Sequence, residues 1–153
     1  MGKYDLVEQV LADLGAEFHF TGVEIRPGRP AVFATCRNRL VFGLPGNPVS
    51  TMVTFELFVL PAIDMLSGAL PRALPIFRAK LVSNVREKGP LAHFLPVRIV
   101  WEGREALVTQ LPWQGSGDVV ALATANGFLV IGPDKPEIEA GELVNVMPRR
   151  GAI

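Results

Sequence analysis

The break Pro45-Gly46-Asn47-Pro48 restricts the fold more than any other feature of the chain. Before it, Leu40-Val41-Phe42-Gly43-Leu44 is apolar on both faces, as a central strand of an α/β sheet would be. After it, a helix is expected from Pro48 to Leu66, kinked or restarted at Pro61. Gly46 suits a sharp turn. Asn47 precedes a proline, is pushed to extended geometry and so suits a helix N-cap. Pro48 suits the first helical position. The amides of Val49, Ser50 and Thr51 would then point out of the helix start and offer an oxyanion site at the carboxyl end of a strand. The same residues also make a stiff connector without a ligand, and the pattern leaves both readings open.

Upstream, Leu6, Val7, Val10, Leu11 and Leu14 are spaced for one helix, with Asp5 as cap and Gly15 as stop. Glu17 to Thr21 alternates like a strand. Ala31–Cys36 and Leu40–Leu44 read as two strands joined by a tight hairpin at Arg37-Asn38-Arg39. Between them and the first strand lies Arg26-Pro27-Gly28-Arg29-Pro30, where Pro27-Gly28 suits the centre of a type II turn. Two guanidiniums on a stiffened turn favour bidentate contacts with an oxyanion, although ordinary surface arginines would look the same.

Residues 67–75 carry two prolines and a glycine without periodicity, and mark a domain boundary. After it the texture changes to short β-like runs at 77–82, 95–101, 106–111, 128–131 and 143–147, with a short helix at 118–125 closed by Asn126-Gly127. That pattern predicts a small β-barrel or sandwich. The fold class is therefore α/β followed by all-β.

Fifteen basic and fifteen acidic residues cancel, which excludes a general nucleic-acid binder. Hydrophobic residues make up 49% of the chain, too many for a disordered tail and enough to suggest apolar surface meant for a partner. The oiliest run, Met52 to Leu66, is broken by Glu56, Pro61 and Asp64 and falls short of the roughly 20 apolar residues of a spanning helix. No export signal is visible, so the cytoplasm is the default expectation. Cys36 is the only cysteine, and it reads as core or sheet face rather than nucleophile. His19 and His93 lack neighbours at metal-ligand spacing. Gly115-Ser116-Gly117-Asp118 suits a helix start, with or without an anion.

The run Val41 to Ser50 resembles the hallmark of the molybdopterin molybdenumtransferases, the family of bacterial MoeA and the gephyrin E domain. Ile25 to Pro30 resembles the loop that precedes it there, Met1 to Asp5 the stretch ending in the family's acidic position, and Gly115 to Asp118 with Ala125 to Gly127 the barrel signature. The resemblance implies insertion of molybdate into adenylylated molybdopterin, with magnesium and release of AMP, by a cytoplasmic homodimer. It implies that residues 1–70 are the C-terminal half of a molybdopterin-binding α/β three-layer domain and residues 75–153 the C-terminal β-barrel. On this reading the chain is an incomplete fragment, inactive alone because N-terminal domains are missing, and not a stable monomer. Asp5 would help hold magnesium or order the nucleotide-side phosphate chemistry, and Arg26 and Arg29 would hold phosphate or molybdate. Pro45, Gly46, Asn47, Pro48 and Ser50 would form the rigid floor of the site. The family usually has lysines where this chain has Arg26 and Arg29, and often an acidic residue at Lys3. The alternative is a non-catalytic module that binds molybdopterin or a partner protein.

Overall fold

A computed structural model of the chain describes residues 6–112, 118–135 and 137–151. The N-terminal unit has three layers. Helix α1 (Val7–Asp13) covers one face of a three-stranded antiparallel sheet. Strands β1 (Glu17–Phe20), β3 (Val32–Cys36) and β4 (Arg39–Gly43) form that sheet in the order β1-β3-β4. Leu11 packs on Val32 and Ala34 from the α1 side. On the other face, Phe33 stacks on Phe42 with centroids 4.7 Å apart, and Phe20 meets Phe33 and Phe58. Phe58 belongs to the long helical run 48–66, which forms the third layer.

Local sequence signals explain much of this unit. Gly15 stops α1 at φ +71°, with its N–H on Ala12 O and the Ala16 N–H on Leu11 O, the paired bonds of a glycine-terminated helix. Arg37 and Asn38 both have positive φ, as a two-residue hairpin turn requires. The cap expected from Asp5 falls outside the described residues. One expectation is overturned: β4 lies at the edge of the sheet, not its centre, and Leu40 is 44% exposed. Apolarity on both faces reflects partial cover, Val41 by the α1 cluster and Phe42 by Phe33, not neighbours on both sides.

The helical run comprises α2 (Pro48–Thr54), a π turn (Phe55–Val59) and α3 (Leu60–Leu66). Pro61 has no N–H to give Leu57 O, and its ring crowds that carbonyl. The preceding turn widens instead of breaking, and the Leu60 N–H reaches back to Phe55 O. The run is therefore one continuous helix of 19 residues, long and apolar enough by length and composition to cross a membrane. Its Val49 and Val53 are nevertheless fully buried against the C-terminal unit, together with Phe94, Leu122, Phe128 and Met147.

The C-terminal unit is a closed barrel. Strands β5 (Phe77–Leu81), β7 (Ala92–Glu102), β8 (Glu105–Gln110), β9 (Gly127–Ile131) and β11 (Leu143–Pro148) form a ring in the order β7-β8-β5-β11-β9, closed by β9 on β7. Leu81, Leu95, Val97, Val108, Leu129 and Val146 fill it, each no more than 3% exposed. The two-residue strands β6 (Val85–Arg86) and β10 (Glu137–Ile138) pair as a separate ribbon and add Val85 and Ile138 to that core. Pro96 lies where β7 runs along β9 just before it begins to pair with β8, so its missing N–H falls at a change of neighbours.

Helix α4 (Val119–Thr124) is capped by Asp118, whose Oδ1 accepts the Ala121 N–H at 2.9 Å. Asn126 does more than end that helix. Its side chain accepts from Ile99 N at 2.6 Å and donates to Ile99 O at 2.8 Å, completing β7 like a strand neighbour. At Gly127 a Cβ would stand 2.5 Å from Ile99 Cδ1 and 2.9 Å from Met147 O, so glycine is required by close approach.

Candidate functional site

The two motifs singled out in the sequence meet across the seam between the units. Ile25 and Arg26 form a short strand, β2 (Ile25–Arg26), that pairs in parallel not with its own sheet but with Ala92 and His93 of β7. The Arg26–Pro27 peptide is cis, and Gly28 has φ +115°. A Cβ on Gly28 would stand 2.7 Å from Thr54 Cγ2 and 3.0 Å from Ile25 Cδ1. The Pro-Gly loop therefore lies tight against α2, the helix that begins at Asn47-Pro48. Pro27 and Gly28 are buried, while Arg26 and Arg29 are exposed. Neither guanidinium has an ion pair or hydrogen bond among the described residues.

Asn47 has the extended geometry expected of an N-cap, φ −79° and ψ 128°, and Pro48 opens the helix. Its side chain does not cap, however. Asn47 Oδ1 is shielded from solvent and has no hydrogen-bond partner. The turn is held instead by Thr51, whose Oγ1 reaches both Pro45 O and Asn47 O, the latter at 2.8 Å. Thr54 Oγ1 donates to Ser50 O at 2.8 Å one turn later. The Thr51 N–H is engaged by Asn47 O at 2.8 Å, so it is not available to a ligand as its position suggested. The Val49 and Ser50 amides remain. Gly46 is exposed, its φ is not in the left-handed region, and a Cβ there would meet nothing within 4 Å. Neither the turn nor packing demands a glycine at that position.

Sequence reasoning missed Thr51 and Thr54. The available signal was a hydroxyl four residues after Asn47 and another four after Ser50, the spacing at which Ser and Thr bond back to a helical carbonyl. Asp5 and Gly115-Ser116-Gly117 lie outside the described residues. Among the described residues no group of three or more His, Cys, Asp or Glu is arranged to hold a metal ion.

Comparison with known proteins decides the family. Residues 78–148 match the MoeA C-terminal region (domain IV), and residues 1–65 match a probable molybdopterin binding domain. The molybdopterin molybdenumtransferase of Staphylococcus aureus (strain Mu50) is 30% identical over 147 residues, covering 96% of this chain. The chain belongs to the molybdopterin molybdenumtransferase family. The molybdenum cofactor synthesis protein cinnamon of Drosophila melanogaster is 52% identical over 86 residues, 55% of this chain and 14% of that protein. The molybdopterin biosynthesis MoeA protein from Pyrococcus horikoshii superposes with a TM-score of 0.80 at 31% identity, over 96% of this chain and 35% of that one. These neighbours bear out the α/β unit followed by a small barrel. The chain spans about a third of the length of the molybdenumtransferases it matches, 35% for the Staphylococcus aureus protein.

Proposed function

We propose that the chain carries the anion-holding part of a molybdenumtransferase site that acts in molybdenum cofactor biosynthesis. The observation that carries this reading is the meeting of the Arg26–Arg29 loop with α2 through Gly28 and Thr54. It ties the loop that carries two unpaired guanidiniums to the helix whose first turn leaves the Val49 and Ser50 amides unengaged. Molybdate is a dianion, and the substrate would be adenylylated molybdopterin, with AMP as the second product. Arg26 and Arg29 supply charge and bidentate bonds. The Val49 and Ser50 amides, on the floor formed by Pro45, Gly46, Asn47, Pro48 and Ser50, supply fixed dipoles while oxygen ligands of molybdate are exchanged for sulfur. The open space over Gly46 suits close approach of a ligand to the backbone. The resemblance assigns magnesium to Asp5, which lies outside the described residues. Two units, 1–70 and 75–153, a homodimeric assembly and a cytoplasmic location complete the proposal.

Asn47→Ala tests it, placed in a full-length family member that contains this segment and assayed below the melting range. If the Asn47 side-chain amide itself donates to the anion from Nδ2, molybdate-dependent AMP release falls at least about a hundredfold, the scale of losing one aimed donor. If it is scaffold, the folded variant turns over near normally. The structure sharpens this test: Asn47 makes no cap bond, so the substitution should cost less than the roughly 0.5–2 kcal/mol of a lost cap.

A further inference from the structure

Helix α3, the 67–76 linker and the end of β11 enclose a cavity of about 410 Å³. It lies near the far end of the helical run from Asn47, roughly 20 Å along the axis at 1.5 Å per residue. Leu60, Pro61, Met65, Leu70, Leu74 and Met147 give it an apolar wall. The rest of its lining is charged, with Glu56 and Asp64 against Arg72, Arg149 and Arg150.

The charges do not cancel. Arg150 makes a two-pronged pair with Asp64, Nη1 to Oδ1 at 2.8 Å and Nη2 to Oδ2. Arg72 lies close enough to Asp64 to stabilise the same carboxylate, and Glu56 faces Arg150. Arg149 is different. Its Nη1 donates to Leu122 O at 3.0 Å and Ala125 O at 2.9 Å, both neutral carbonyls at the end of α4. Its Nε is shielded from solvent and has no acceptor. No carboxylate pairs with it among the described residues. Three guanidiniums against two carboxylates give the cavity lining a positive excess, offset at Arg149 only by the carbonyl end of α4.

We infer that this cavity is a second binding site, separate from the molybdate site, for a small organic monoanion with an apolar body and a carboxylate or sulfonate head. The head would meet Arg149 and Arg72, and the body would cover Leu60, Met65 and Leu70. Molybdate itself is a poor fit, because a hydrated dianion gains nothing from an apolar wall. The volume falls within the range of small-ligand pockets, about 300–1,000 Å³. An occupant would touch α3, the linker and residues 147–150 together, and so bridge the two units.

The probe is 8-anilinonaphthalene-1-sulfonate, titrated into the whole chain by fluorescence, with octanoate as competitor. One saturable site displaced by octanoate is expected, at least tenfold weaker in Arg149→Gln and in Arg72→Glu. Arg26→Gln with Arg29→Gln should leave it unchanged. Arg149→Gln also removes two bonds to α4, so Arg72→Glu and Leu70→Glu, both at exposed positions, decide the matter if it fails to fold. Dye binding that ignores Arg72→Glu and Leu70→Glu, or that octanoate cannot displace, overturns the inference.

Discussion

In the barrel every strand of the ring has a neighbour on both sides, and its interior is filled by side chains almost wholly withdrawn from solvent. In the α/β unit β4 has one neighbour, and Leu6, Val10 and Leu14 of the α1 segment are about half exposed or more. Both regions are apolar in sequence, yet only one closes on itself. The difference teaches where the fold is self-sufficient and where it leaves an edge and apolar faces open. The closed ring holds Asn126, buried with its amide bonded on both sides, although His93 Nε2 and Arg149 Nε in the same unit lack partners. The open unit holds unpaired guanidiniums and an unpartnered Asn47 oxygen, groups whose satisfaction awaits something else. The seam between the regions is where the two motifs meet.

The largest expected effect breaks the closed side. Asn126→Ala strands both Ile99 N and Ile99 O inside the barrel, at about 1–3 kcal/mol for each unsatisfied group. Chemical denaturation should show a loss of several kcal/mol; a loss under about 1 kcal/mol would mean that water replaces the amide.

Next comes the seam. Gly28→Ala puts a side chain at φ +115° and a Cβ 2.7 Å from Thr54 Cγ2. Strain of this kind costs roughly 1–3 kcal/mol. If the loop and α2 move as one piece, anion affinity at the site should fall with it, as calorimetry with molybdate can show. A stable variant with unchanged affinity would separate the loop from the site.

Acid probes the same seam more gently. Arg150, bonded to Asp64, holds the Asp64 carboxyl below its ordinary value. A lowered folded-state value means the contribution is present above the ordinary carboxylate range and lost as pH falls through the lowered one. NMR titration of Asp64 should show that lowering in the native chain and its disappearance in Arg150→Met. Both groups are solvent-exposed, so the effect on stability is small.

The smallest effect belongs to the open unit alone. Asn38→Gly should stabilise the β3–β4 hairpin by a few tenths of a kcal/mol, since glycine adopts positive φ more readily than asparagine. The barrel should be indifferent, and hydrogen exchange can compare the two regions.

Features set by neighbours along the chain were legible in the sequence. Gly15, Arg37-Asn38, Pro48 and Asp118 stop or start elements by local chemistry, and each does so in the structure. The five ring strands were visible because each has enough residues to show a pattern. β2, β6 and β10 have two residues each and exist only through partners far along the chain, so no window contains their signal. The same applies to the edge position of β4. At the site, Asn47 was legible in its backbone but not in its side chain. Whether an amide oxygen caps depends on a competitor, and here the Thr51 hydroxyl holds the turn. Gly28 was recognised as a turn residue, whereas its contact with Thr54 joins residues 26 positions apart, beyond any local window.

The attachment of β2 to β7 has a consequence for how the molecule comes apart. β2 precedes the α/β hairpin in the chain, yet its ladder belongs to the barrel, and the Ala92 N–H is held by Glu24 O. Opening the barrel thus removes one anchor of the loop that carries Arg26 and Arg29, even while the three-stranded sheet stays intact, and leaves the other, Gly28 on Thr54. The arginine loop is tied to the barrel through β2 and to α2 through Gly28. Substitutions deep in the barrel, far from any anion, then act on the site as changes in how much of its lifetime it spends assembled.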